Sequence, residues 1–434
     1  MQRILKVCAF LFVGMLCAAA CAGPVQPTES GEAMPTMTMT PTAVPDTPTV
    51  VSPLAVPDPP TVASPIVTPN RPTPTPEPPG GNLPLPLYFL ADQSIWLLEP
   101  GDTLVERITP MERDITSFDI WPGDGRIAYG TLGGQLYVMM PDQEPRLLHD
   151  VSAETNYATT VRSVSWSPDG MRLAYAVVYD DQLAFREAGY PSYPSGLWLL
   201  DIEDATPTWL LSNRYLNSEE SDVNLIRIIV DPVWSPDGTA LILTGSYWEW
   251  RDILLLDPIA PDLDEANLHD APGDSWSRGT WASDSQSMLL SGVQNASYGD
   301  LVQVERASLE SGQLIDGHSE RIWVTDAQEL PSGIVFLGSG DDGETRLYLG
   351  QRNENGFEYS PTGPERLCDA LSPGHVEWDS TGRWGVFECE FGSIPPDLEQ
   401  NEVHVITLDG ENIDITPYLS PLANAERFKA LWGK

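Results

Sequence analysis

A five-residue turn, Trp166-Ser167-Pro168-Asp169-Gly170, returns unchanged at Trp234-Ser235-Pro236-Asp237-Gly238. In both places a short apolar run ends in Trp and a second apolar run leaves the turn. Pro presets φ near about −65°, Asp accepts local backbone hydrogen bonds, and Gly takes the positive φ that closes a hairpin. One such hairpin cannot cover its own apolar faces, so a chain that repeats it must stack the copies.

Weaker copies share the layout. Phe118-Asp119-Ile120-Trp121 leads through Pro122-Gly123-Asp124-Gly125 into Ile127-Ala128-Tyr129. Thr280-Trp281 precedes Met288-Leu289-Leu290, and Val376-Glu377-Trp378 precedes Trp384-Gly385-Val386-Phe387. A degenerate copy has no Trp: Pro331-Ser332-Gly333 opens into Ile334-Val335-Phe336-Leu337. Third runs follow most of these (Leu136-Tyr137-Val138, Leu197-Trp198-Leu199-Leu200, Ile253-Leu254-Leu255-Leu256), and weaker fourth runs follow several. No window sustains a helical apolar period over three turns, so the pattern is all-β. Four strands per unit at a spacing of about 45–50 residues is the mark of propeller blades.

The two ends complement each other. Leu87-Tyr88-Phe89-Leu90, Ile95-Trp96-Leu97-Leu98 and Leu104 to Ile108 read as strands two to four of a blade. Phe428-Lys429-Ala430-Leu431-Trp432-Gly433 reads as the missing first strand. Pairing them in one sheet closes a ring and removes an exposed edge. The expected fold is a single β-propeller of four-stranded blades: seven, or six if the degenerate unit near Gly333 is not a blade.

These hairpins resemble the WD-repeat-like propeller repeats of TolB-type proteins, whose core is Trp-Ser-Pro-Asp-Gly between two strands. The resemblance spans Leu85 to Lys434 and is strongest at residues 162–178 and 229–245. It implies a propeller and says little about activity. TolB-type proteins are usually six-bladed with a preceding α/β domain, which has no counterpart in this pattern. The Trp and Asp of the turns are expected to be structural.

Before the propeller the texture differs. Residues 1–21 carry Arg3 and Lys6, a short apolar run from Val7 to Leu16, and then Leu16-Cys17-Ala18-Ala19-Ala20-Cys21. That is the layout of an export signal too short to span a bilayer. Its end resembles a bacterial lipobox, which implies lipid on Cys21, although Ala18 stands where Leu is usual. Ordinary cleavage without lipid is the alternative. Residues 22–85 are rich in Pro and Thr and cannot bury enough surface to offset their ordering entropy. As extended polyproline II they would reach on the order of 100–200 Å, a disordered stalk. Residues 86–434 form the propeller domain.

Acidic residues number 63 against 23 basic ones, for a formal charge of −40. Such a surface repels nucleic acids and anionic headgroups, so no nucleic-acid partner is expected. Of the five cysteines, only Cys368 and Cys389 fall in the propeller. An oxidising compartment would permit a bridge. The repeat register, however, sets them on different strands of adjacent sheets and argues against one.

Candidate function sits in long connections. Between second and third strands or between blades lie Tyr179 to Ser195, Ser212 to Arg227, Tyr247 to Arg251, Asn295 to Tyr298 and Phe391 to Asn401. Tyr190, Tyr193, Tyr215, Trp248, Trp250 and Tyr298 are the candidate binding residues. Rigid aromatics on a broad face suit sugar rings or peptide side chains, although they could equally pack their own loops. Asp341-Asp342-Gly343-Glu344 has oxygen ligands but not a full calcium loop, and reads as a hairpin turn. His149, His269, His318, His375 and His404 are scattered without zinc-type pairing and read as solvated or internally satisfied. No Gly-x-Ser-x-Gly elbow appears, which argues against a propeller-gated peptidase. No catalytic residue, metal or cofactor is expected. The whole reads as a monomeric lipoprotein, anchored to the membrane through its lipid alone at the cell surface or in the periplasm. It would bind an envelope protein or polysaccharide. The alternatives are a carbohydrate-active enzyme with carboxylates in the central channel, and a scaffolding subunit of an envelope complex.

Overall fold

The computed structural model describes residues 83–433 apart from 103, 111–113, 142, 155–157, 180–194, 218–223, 247–250, 258, 260–266, 274–275, 296–297, 355, 366, 369–371, 391–401 and 423–428. The expected export signal, Cys21 and the expected stalk apart from residues 83–85 lie outside these residues; Leu83 is buried in the core, with Leu85 packed against the same cluster. Seven antiparallel sheets follow one another, each assigned here to a blade. Their first strands are Ile115–Ile120, Thr159–Trp166, Asn224–Trp234, Trp276–Trp281, Trp323–Leu330, Ser372–Trp378 and Lys429–Trp432, for blades 1 to 7. These strands touch one another in that order, and the last touches the first. They therefore form the inner ring, and the fourth strands form the outer edge. Two four-residue helices, Val151–Glu154 and Gly317–Glu320, are the only α-helices among the described residues.

The core is seven seams between blades. Each apolar cluster joins one blade to the next, as Ala128, Leu136 and Val138 of blade 1 meet Val164, Trp166, Leu173 and Tyr175 of blade 2. A strand in the middle of a blade is covered on both faces, which is why Ile127–Thr131 is buried at every position. This burial explains the continuous apolar runs where alternation would mark a half-exposed sheet. Trp166, Trp234, Trp281, Trp378 and Trp432 each enter a seam.

Ring closure occurs as expected. Lys429–Trp432 pairs antiparallel with Leu87–Ala91, Leu87 opposite Trp432 and Leu90 opposite Lys429. The degenerate copy is a true blade, which makes seven. With Leu330 instead of Trp at the end of its first strand, blade 5 fills its seam with blade 4 by stacking Phe336 on Tyr348 (5.0 Å between centroids), with Tyr359 edge-on to both.

Three details depart from expectation. Trp121 does not hold the Trp register. Ile120 pairs with Ile127 as Trp166 pairs with Leu173, so Trp121 falls on the turn position that Ser167 holds in blade 2. Blade 3 gains a fifth strand, Arg214–Asn217, against the start of its unusually long first strand. Cys368 and Cys389 are bonded, with Cα atoms 6.0 Å apart. Cys368 lies not on a blade 5 strand but in the connection to blade 6, which lays it against the second strand, Trp384–Glu390.

Candidate functional site

Antiparallel order fixes which connections share a face. Links from first to second strand and from third to fourth leave one end of each blade. Links from second to third strand, and from one blade to the next, leave the other. The Trp-Ser-Pro-Asp-Gly turns belong to the first end. The strands flanking all five long connections point to the second. Of the candidate binding residues, Tyr190, Tyr193, Trp248 and Trp250 lie outside the described residues. Tyr215 pairs with Ile226 in the extra hairpin of blade 3, and Tyr298 opens the third strand of blade 4 opposite Asn295.

Sequence reading missed a charged arc on the inner ring. It runs through Arg278 of blade 4, Asp326 of blade 5, His375 and Glu377 of blade 6, Lys429 of blade 7 and Asp119 of blade 1. Arg278 Nε stands 3.1 Å from Asp326 Oδ1. His375 donates from Nδ1 to Asp326 Oδ2 at 2.8 Å and from Nε2 to Glu377 Oε2 at 3.0 Å. The Val376 amide also donates to Asp326 Oδ2, and the Lys429 ammonium donates to the Phe118 carbonyl at 2.9 Å. Asp119 accepts from the Ile120 amide and, across the seam, from the Trp166 amide at 2.7 Å.

The reason for the arc is geometric. Apart from the start of the first strand of blade 3, the inner edges of the blades carry backbone groups that no further strand pairs, and buried orphans of that kind are costly. Side chains from neighbouring blades satisfy them. The Thr280 hydroxyl donates to the Ala327 carbonyl, the Trp234 indole to Ser165, the Trp281 indole to Val233 and the Trp432 indole to Glu377.

Titration follows from this setting. Burial and the Arg278 guanidinium both work to lower His375, but Asp326 and Glu377, one on each ring nitrogen, outweigh them and raise it. Burial opposes ionisation of Asp326 as well, yet Arg278 and His375 hold it well below the usual carboxylate range. Asp119 goes the other way. Burial pushes it up to about 6 despite Lys429 and its two amide donors. Buried acids thus sit on the inner ring. Both oxygens of Asp326, and both of Asp119, are engaged by groups of the protein itself.

Arginines latch the turn face. Arg172 lies over the Trp234 ring and donates to the Gly238 carbonyl at 2.8 Å, and Arg126 repeats this on Trp166 and Gly170. Blade 3 has Ala240 at that strand position, and the latch comes instead from Arg306 of blade 4. Its guanidinium forks onto Asp257 at 2.6 and 2.7 Å and reaches Asp237 Oδ2 at 3.0 Å. Although burial works against it, bonds from Ser235 and Thr239 and the charge of Arg306 hold Asp237 down to about 2. The Asp341 to Glu344 segment is a hairpin turn, closed by Gly343 to Gly340. Arg346 neutralises Asp342, and Arg321 pairs with Asp341.

No protein-family model matches the chain, and no curated protein matches its sequence. Solved structures do. Puromycin hydrolase aligns at a TM-score of 0.51 and 14% identity, covering 77% of this chain and 50% of that one. By fold this chain is a seven-bladed β-propeller. TolB from Acinetobacter baumannii aligns at a TM-score of 0.42 and 15% identity over 78% of each chain. The Cps50 (Swd1) propeller from Myceliophteria thermophila aligns at 0.47 and 14%, over 70% of this chain and 86% of that one. This chain spans half the length of puromycin hydrolase, so the likeness is one of fold.

Proposed function

We propose that this chain is an exported lipoprotein whose propeller recognises a protein or polysaccharide partner at the cell envelope without catalysing a reaction. The observation that carries the reading is the segregation of its two ends. Among the described residues, one end carries the short first-to-second-strand turns and the arginine latches. The strands at the other run into every long, aromatic-bearing stretch of the chain. Recognition residues concentrate on loops held by a rigid scaffold. The Cys368–Cys389 bond supports an extracytoplasmic, oxidising location. The ion pair of Asp326 with Arg278, its bond from His375 and the two amide bonds to Asp119 favour a structural role for these inner acids over that of a glycosidase pair.

The test is cross-linking in native envelopes with the tagged full chain, beside a variant with Tyr190, Tyr193, Trp248 and Trp250 changed to Ala. The expected result is a partner captured by the first and lost by the second. Equal capture by both would remove recognition from this face. Labelling with a fatty-acid analogue tests the anchor, and Cys21→Ala is expected to abolish incorporation.

A further inference from the structure

The disulfide lies within a larger donor cluster. On blade 6, Cys389 and Glu402 face each other across adjacent strands, and His404 follows Glu402 two residues on, so all three share one face of the sheet. The Cys389 sulfur, a Glu402 oxygen and a His404 ring nitrogen lie within 4.8 Å of one another. The Cys368 sulfur is bonded to that of Cys389 but lies outside this group, and opening the bond frees it as a fourth donor. Two sulfurs, an imidazole and a carboxylate form a ligand set suited to tetrahedral zinc. Bond lengths of about 2.0–2.3 Å put tetrahedral donors roughly 3.5–4 Å apart, so Cys389, Glu402 and His404 need only a small contraction, while the two sulfurs must separate once their bond opens.

The imidazole is already oriented. His404 Nδ1 meets Asn412 Oδ1 at 2.9 Å, and its ring stacks on Phe387 at 5.3 Å. His404 Nε2 lies 3.3 Å from Glu402 Oε2, so the ring nitrogen and the carboxylate already meet. A hydrogen bond that holds the far ring nitrogen is how metal-binding histidines are commonly oriented.

We propose that Cys368, Cys389, Glu402 and His404 form a redox-gated zinc site, in which the disulfide and the metal-bound dithiolate are alternative states. In the oxidised state both sulfurs are used by their mutual bond. A dithiol reductant supplies two electrons and two protons, the S–S bond breaks to two thiols, and the reductant leaves as its own disulfide. Zinc then displaces the two thiol protons and is held by two thiolates, the His404 nitrogen and the Glu402 carboxylate. The metal takes over the cross-link that the disulfide otherwise makes between the blade 5–6 connection and the second strand of blade 6.

The experiment titrates Co²⁺, then Zn²⁺, into the full chain, oxidised and after reduction by a dithiol that is removed anaerobically. The expected result is one tightly held Co²⁺ per reduced chain, with tetrahedral d–d bands and thiolate-to-cobalt charge transfer, displaced by Zn²⁺. The oxidised chain should lack these bands. His404→Ala keeps the disulfide, which its oxidised melting curve checks, and is expected to weaken the reduced site at least tenfold and alter its bands. The Cys368→Ser/Cys389→Ser variant should lose them. If the reduced chain loosens, its melting temperature should rise on adding Zn²⁺. Only weak oxygen-ligand spectra from the acidic surface would overturn the proposal. So would a thiolate band unchanged in His404→Ala, or a reduced chain that loosens and gains nothing from zinc.

Discussion

His375 is held by one carboxylate on each ring nitrogen, and that sets its pH behaviour. Its folded pKa is raised. The stability it contributes is therefore complete below about pH 6.5, its unfolded value, and lost as pH rises through the higher folded value. His375→Gln should destabilise most near pH 6, and the gap from wild type should narrow toward pH 9 in melting curves. A constant gap would contradict the ion-pair account. Asp119 has the same sign in a lower window. Raised from 3.8 to about 6, it contributes stability that is lost between those values as pH climbs. Asp119→Asn should flatten that part of the curve. Arg306 makes a different test, because its value lies in the fork rather than the charge. Arg306→Lys keeps the charge but cannot grip both oxygens of Asp257, and should cost about 1–2 kcal/mol by denaturant unfolding. None of these roles could be read from a single blade. They become visible when first strands are aligned on the Trp: three residues before it stand Arg278, His375 and Lys429. Expecting the histidines to be internally satisfied was right for His375, but its partner Asp326 comes from another blade.

At the scale of the hairpin, identical sequence does not mean identical surroundings. Gly170 and Gly238 end the same five-residue turn, with φ of 69° and 70°. A Cβ on Gly238 would meet nothing closer than 3.6 Å, whereas one on Gly170 would come within 2.3 Å of the Trp121 ring. Gly238→Ala should therefore cost only the left-handed strain, about 1–2 kcal/mol. Gly170→Ala should cost distinctly more and disturb Trp121 fluorescence; equal costs would show that Trp121 does not roof this turn. The hairpins themselves were legible because Pro, Asp and Gly act locally. The offset of Trp121 was not, since only strand pairing shows that Ile120 fills the Trp register. Blade 5 was nearly invisible for a related reason. Its seam is filled by Phe336, Tyr348 and Tyr359, which carry no turn signature of their own.

For the whole molecule, closure was legible and the disulfide was not, and one cause explains both. Closure depends on strand type: a chain that starts at a second strand and ends at a first has one economical pairing. The disulfide depends on the path of a connection, and periodicity says nothing about where Cys368 lies between strands. The two links should also fail differently. The bond closes a stretch of sequence separation 21 inside one part of the ring, and reducing it without metal should cost about 3 kcal/mol by loop-closure entropy. Such a loss should lower the melting temperature and leave a single transition. Removing residues 429–434 instead takes away the only partner of the free edge of Leu87–Ala91 and uncovers the seams that Leu431 and Trp432 enter. Burial of those two side chains alone is worth roughly 3–6 kcal/mol. The truncated ring also loses the Lys429 bond to Phe118 and the Trp432 bond to Glu377, which tie blade 7 to both neighbours. Calorimetry should then find blade 7 melting ahead of the other six, or the entire ring shifted far down. A truncated chain melting as one unit within a few degrees of wild type would mean that the terminal strand decorates the ring without closing it.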